Sequence, residues 1–186
     1  MNLLDCVLSL NRRYEAFTRP RVQAFANRRR VSTMRGLISL MISYDSLRSF
    51  GVQELDYNDP ARMETLLGVA RYLHRVQAHY TGASEMARLR KWARAAGPDT
   101  LAEIGVNGFG LAGFQYLRML LGVQTAKPDV HIRNFVRDAV ARDVSDVEAL
   151  RLLEAAAAKG RLKVRDVDSH VWTVRSQRKA RPATAV

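Results

Sequence analysis

Helix-forming residues dominate this chain, apolar positions recur every three or four residues, and the alternation expected of strands is scarce. That period gathers the apolar side chains of a segment on one helical face, so the chain has to bury helices against helices. The spacing predicts a helix over Leu3–Phe17, with Leu4, Val7, Leu8 and Leu10 on one side. Thr18-Arg19-Pro20 reads as a break and Arg21–Asn27 as a resumption. Met34–Phe50 follows a cap at Ser32 or Thr33 and is expected to end at Gly51. Asp59-Pro60, an N-cap followed by proline, opens a helix that runs through Val76. Ser84–Ala96 comes next and is stopped by Gly97-Pro98. Asp99 or Thr100 caps a short segment, Leu101–Ile104. A glycine cluster from Gly105 to Gly113 leads into an apolar helix ending at Leu121. Asp129–Val140, Ser145–Ala158 and Asp166–Val174 complete the pattern, with Ser145 and Glu148 at capping-box spacing.

The length, 186 residues, suits one domain or two small lobes. The expected division is a first lobe over 1–124, a second over 125–174, and a basic tail over 175–186 that is disordered. A formal net charge of +12 points to a polyanionic partner, nucleic acid before an anionic membrane surface. A general arginine bias accounts for the same charge with no partner at all. The one cysteine, Cys6, sits in an apolar run and reads as a small buried hydrophobe. It permits neither an intrachain disulfide nor a four-cysteine cluster. No apolar run has membrane-spanning length and no signal peptide is visible, so a cytoplasmic protein is expected. His74, His79, His131 and His170 lack a ligand partner at metal spacing, so neither metal nor cofactor is expected.

Between two helical patterns lies Val106-Asn107-Gly108-Phe109-Gly110-Leu111-Ala112-Gly113. Glycines two apart tolerate positive φ and let a backbone approach another surface closely. Followed by a helix N-terminus, they offer N–H groups to a phosphate. A tight helix–helix turn with no ligand fits the same residues. The stretch continues to Lys127-Pro128-Asp129-Val130-His131-Ile132. Together these residues resemble the hairpin and catalytic region of the helix-hairpin-helix DNA glycosylase superfamily, which includes endonuclease III. The family pattern is an apolar-Pro-Gly-apolar-Gly hairpin, an amphipathic helix, a loop and Val-Asp-Thr-His-apolar. Leu3 to Asn11 is similar to the early family helix that ends in a lesion-opposite plug, and Asp166 to Trp172 to the last helix of several bacterial members.

The resemblance implies an all-α, two-lobed bundle, endonuclease III-like, with Asp129 facing a cleft between the lobes. It implies a base-excision glycosylase acting on double-stranded DNA. In that chemistry a carboxylate, here Asp129, stabilises an oxocarbenium-like transition state. Asp129 is also a good N-cap after Pro128, and the two roles are compatible. Gly108, Gly110 and Ala112 would approach the phosphates. Asn11 would fill the hole left by a flipped base, or else is a helix-surface asparagine. Arg12, Arg13 and the run Arg28-Arg29-Arg30 would reach phosphates, or else form a solvated face. Ala112 stands where bifunctional members carry a lysine, and alanine forms no imine, so lysine-dependent lyase activity is not expected. Asn107 replaces the hairpin proline. Lys127 reads as a solvated loop residue, and His131 as a support for the Asp129 turn. Tyr44, Trp92 and Trp172 read as core. A non-catalytic DNA-binding or damage-sensing protein on the same scaffold is the main alternative, and a basic helical adaptor the second.

Overall fold

The protein is seen here in a computed structural model that describes residues 2–178. Among the described residues every regular element is helical. In chain order these are α1 (Asn2–Leu8), a π-helical turn (Tyr14–Thr18), α2 (Arg19–Arg28), α3 (Met34–Ile42), α4 (Leu47–Leu55) and α5 (Pro60–Val76). A 3-10 turn (Gln77–His79) follows, then α6 (Glu85–Ala95), α7 (Pro98–Ile104), α8 (Leu111–Leu120), α9 (Val130–Val140), α10 (Asp146–Lys159) and α11 (Val164–Arg178). The chain divides into two compact units, Met1–Gly122 and Val123–Val186.

Helix starts are written in the side chains. Thr33, Ser46, Asp59, Ser84 and Ser145 each accept a backbone N–H from the first turn that follows, satisfying a donor the helix cannot. Left-handed residues stop several helices: Asp56 (φ 49°) after α4, Gly105 (φ 57°) after α7 and Ala141 (φ 55°) after α9. In the first unit α1 is buried along most of its length, at Leu3, Leu4, Cys6, Val7 and Leu8. It packs on α5 and α8, and each such aliphatic side chain contributes about 1.5–3 kcal/mol of burial. Cys6 is fully buried, as its apolar setting predicts, and its thiol donates to the Gly113 carbonyl at 3.2 Å. Trp92 is a core residue too, edge-on to Tyr72 and Phe114 with ring centroids 6.0 and 6.4 Å away.

Several boundaries differ from the sequence reading. The first helix does not run to Phe17; it ends at Leu8. Ser9 turns its hydroxyl back onto the Cys6 carbonyl (2.8 Å), and Asn11 adopts a left-handed conformation (φ 58°). Such local side-chain bonds compete with the helical ladder. Thr18-Arg19-Pro20 is no break: Pro20 lies in the first turn of α2, where its missing N–H is not needed. Met34–Phe50 is two helices, parted at Ser43–Ser46 by a Ser43 hydroxyl bonded to the Leu40 carbonyl and by the Ser46 cap. Gly51 ends nothing. It is buried inside α4, and a Cβ there would lie 2.7 Å from the Tyr57 carbonyl oxygen, so it is a packing glycine. Gly97-Pro98 both stops α6 and starts α7, the Thr100 hydroxyl accepting the Gly97 N–H at 3.1 Å.

The second unit is built on Ile132 and Val136 of α9, Ala149, Leu150 and Leu153 of α10, Val171 of α11, and Ala126 from the preceding loop. Ser145 caps α10, but Glu148 does not complete a capping box; its carboxylate takes Arg142 at 2.5 Å. The last helix starts two residues earlier than the apolar pattern suggests and continues to Arg178. The predicted tail therefore overlaps a helix over 175–178, and its remainder, 179–186, lies outside the described residues. Trp172 is not core: it is 37% exposed, while its neighbour Val171 is buried. Tyr44 is only half-buried.

Candidate functional site

One face of α5 organises the first unit's candidate surface. Arg62, Thr65 and Gly68 recur every three residues and so share a face. The Arg62 guanidinium donates to the Leu10 carbonyl (3.4 Å), at the turn that follows α1. The Thr65 hydroxyl donates to the Asn107 carbonyl (2.8 Å) as well as to Ala61 (3.0 Å). Gly68 seats Val106, whose Cγ2 would lie 2.9 Å from any Cβ at that position. A mid-helix glycine costs about 1 kcal/mol against alanine, so this close approach explains its presence.

The glycine turn is thereby pinned at Val106 and Asn107. Its Phe109 N–H closes on the Val106 carbonyl (3.1 Å), and the Phe109 ring is buried. Gly108 takes φ +77°, and a Cβ there would meet the Thr65 hydroxyl at 2.9 Å. Gly110 precedes α8 with ordinary extended backbone and open space around it. Gly110, the N-cap of α8, has no side chain with which to accept a first-turn N–H such as that of Ala112. Gly113 lies against Leu10: a Cβ there would come 3.2 Å from the Leu10 side chain. The structure therefore brings the turn carrying Asn11, Arg12 and Arg13 beside the turn carrying Gly108, Gly110 and Ala112.

These residues are not equally available. Asn11 and Arg13 are exposed. Asn11 is not on a helix surface, and its left-handed backbone is one that asparagine tolerates well. Arg12 is engaged: it donates to the Tyr57 hydroxyl (3.0 Å), stands 3.8 Å from the Asp59 carboxylate and lies over the Phe17 and Tyr57 rings, 5.6 Å from each centroid. The Tyr57 hydroxyl bond to Asp59 holds that carboxyl below its usual range. Arg28 and Arg29 are not a free phosphate-reaching run either. Arg28 donates to the Glu54 carbonyl (2.5 Å), and Arg29 grips the buried Glu54 carboxylate through Nε (3.1 Å) and Nη2 (2.6 Å). Arg30 is exposed.

The positive φ makes Gly108 the testable member of the turn. Gly108→Val forces a branched side chain into left-handed backbone and onto Thr65, a strain of about 1–2 kcal/mol. Gly110→Ala meets neither problem. Thermal unfolding is expected to show a lower midpoint for the first variant and none for the second; equal midpoints would remove Gly108 as the pivot of the turn.

In the second unit Asp129 caps α9, its Oδ1 accepting the N–H of His131 (2.8 Å) and of Ile132 (3.3 Å). It is His131's backbone that holds the turn. Asp129 also donates its own N–H to the Lys127 carbonyl (2.7 Å), while Pro128 between them is buried. A residue the sequence reading passed over completes this group. Asp168, on α11, accepts the Lys127 N–H at 2.8 Å. Burial pushes the Asp168 carboxyl up to about 6, with the Asp129 charge adding to the rise and the Lys127 N–H bond opposing it. The signal was available: 164, 167, 168 and 171 fall on one helical face, so Asp168 is an acid set into the apolar stripe of α11. Thr125, at the start of the same loop, is buried and donates to Glu154 of α10 at 2.7 Å.

Among the described residues no helix is long and apolar enough to cross a membrane, and no group of three or more His, Cys, Asp or Glu is placed to hold a metal ion. No curated protein and no solved structure matches the chain. The model of a domain of unknown function, DUF8548, matches residues 1–176, and the chain belongs to that family.

Proposed function

We propose that this protein is a monofunctional DNA glycosylase on a scaffold of the helix-hairpin-helix, endonuclease III-like kind, hydrolysing the N-glycosidic bond of a damaged or mismatched base. The observation that carries the reading is the glycine turn seated on Thr65 and Gly68, which leads into an uncapped helix beside the exposed Asn11–Arg13 turn. Amides of that kind suit a phosphate, and the flanking arginines add charge. The net charge of +12 supports a polyanionic partner. On this reading the carboxylate of the reaction is Asp129.

The chemistry follows from Asp129. As the bond from C1′ to the base nitrogen lengthens, the base leaves with the bonding electrons and the sugar becomes cationic. A carboxylate stabilises that charge. Water then adds its oxygen to C1′ and gives a proton to the Asp129 carboxylate, which passes it to the departed base anion, leaving an abasic site and the neutral base. Ala112 can form no imine, so the strand stays intact until alkali is applied.

A panel of duplexes carrying oxidised, alkylated, deaminated and mispaired bases tests the proposal. Release of at least one base, with strand scission only after hot alkali, is the expected result. One observation favours the second reading, a non-catalytic DNA-binding or damage-sensing protein: Asp129 already has work as a helix cap. Tight, salt-sensitive binding with no release across the panel would establish it. Each phosphate contact steepens the salt dependence by roughly 0.9 in log–log slope, so a flat, weak response would leave only the adaptor.

A further inference from the structure

We propose that Asp168 is a positioning residue for Asp129: by accepting the Lys127 amide it fixes the loop from Thr125 to Asp129, and its protonation sets how much charge stands beside the Asp129 carboxylate. The inference rests on reading Asp129 as the carboxylate of the site.

The loop is short and held at both ends. Thr125 is tied to Glu154, and Ala126 and Pro128 are buried. Lys127 is held through its backbone, its N–H on Asp168 (2.8 Å) and its carbonyl on the Asp129 N–H (2.7 Å). A hydrogen bond spanning 41 residues thus connects α11 to the residue that orients the α9 cap. The face of α11 that carries Asp168 is otherwise Val164, Val167 and Val171, packed into the core. An acid there is costly to ionise, which is why its carboxyl is pushed up to about 6. The charged groups acting on it are Asp129 at the α9 cap, Lys127 in the loop and Arg165 on its own helix. With its carboxyl raised to about 6, Asp168 takes up its charge later than an ordinary aspartate as the pH rises, and the Asp129 charge is one cause of that rise.

The sign for stability follows. A partly buried acid that holds its proton more tightly than an unfolded aspartate favours the fold at low pH. That advantage is lost as pH rises from about 4 to about 6. Asp168→Asn keeps an oxygen for the Lys127 amide and has no charge to bury, so it is expected to melt higher than wild type above pH 6 and alike at pH 4.

The deciding experiment is an amide-proton NMR titration of the full chain between pH 4.5 and 8. The Lys127 amide shift of the wild type is expected to move with a midpoint near 6. The movement is lost in Asp168→Asn, and in Asp129→Asn its midpoint drops, because a like charge has gone. A Lys127 amide that does not titrate, or that titrates unchanged in Asp168→Asn, overturns the inference. Base release supplies a second readout. The wild-type rate is expected to change several-fold across a midpoint near 6, as Asp168 changes charge and with it its hold on the Lys127 amide, whereas Asp168→Asn gives a flat profile. Asp168→Ala, which leaves the Lys127 amide without an acceptor, is expected to lose about a hundredfold in rate. Retention of the wild-type rate and profile by both variants would also overturn it. Absence of base release from wild type at every pH would sink the glycosylase reading and leave the titration to decide this inference alone.

Discussion

Asp129→Asn is expected to lower the rate of base release by about a hundred- to a thousandfold, the usual scale for losing one electrostatic stabiliser of a transition state. The substitution is informative because of what it leaves alone. Asp129 caps α9 through a single oxygen, Oδ1, facing two N–H groups. Asparagine offers an oxygen at the same place and caps helices about as well as aspartate. The turn, the helix and the duplex affinity should therefore survive while the negative charge goes. Asp129→Ala is the control for structure, since it removes the cap as well and costs about 1 kcal/mol. Single-turnover base release, a duplex titration and a melting curve on the three proteins separate the roles. Normal release by Asp129→Asn together with a lowered midpoint for Asp129→Ala would show that the side chain only caps.

The all-helical class was legible because it depends on local facts. The period of apolar residues, the caps at Thr33, Asp59, Asp129 and Ser145, and the proline after Asp59 act within one turn of chain. The failures occurred where an effect from elsewhere decided the outcome. Gly51 carries a stop signal in sequence, yet it lies mid-helix because the Tyr57 carbonyl comes too close for any side chain. Pro20 reads as a breaker until its place in the first turn of α2 is known. Arg29 reads as one of three free cations, and its partner stands 25 residues away on another helix.

The candidate site divides the same way. Gly108 was visible as a glycine that needs positive φ, and Asp129 as a cap. Arg62, Thr65 and Gly68 were not visible, because what makes them a platform is the arrival of two distant turns on one face of α5. Asp168 stands between these cases. Its place in an apolar stripe could have been read from spacing, but its contact with the Lys127 amide could not.

Glu54→Ala is expected to destabilise the first unit by about 2–3 kcal/mol, the scale of removing charge-assisted hydrogen bonds from a buried acceptor. Glu54 is 5% exposed in α4. It receives the Arg29 fork from the residue that follows α2 at 3.1 and 2.6 Å and the Tyr44 hydroxyl from the link between α3 and α4. One carboxylate therefore ties three segments. Arg29 is partly exposed and can turn to water when its partner is lost, which keeps the cost below that of a fully sealed pair. Glu54→Gln retains an acceptor for Tyr44 and should lose roughly half as much. The Arg29 hydrogen bond holds the Glu54 carboxyl below its ordinary range, burial opposing it. A depressed carboxyl stabilises the fold above its unfolded value and loses that contribution as pH falls through the folded one. The gap in unfolding midpoint between wild type and Glu54→Ala should accordingly be full at pH 7 and narrow once the pH drops below about 4, where the wild-type carboxylate takes up its proton. A gap that is constant from pH 7 to pH 3 would mean that the side chain acts by volume alone and that its pairing with Arg29 adds nothing to the stability of the first unit.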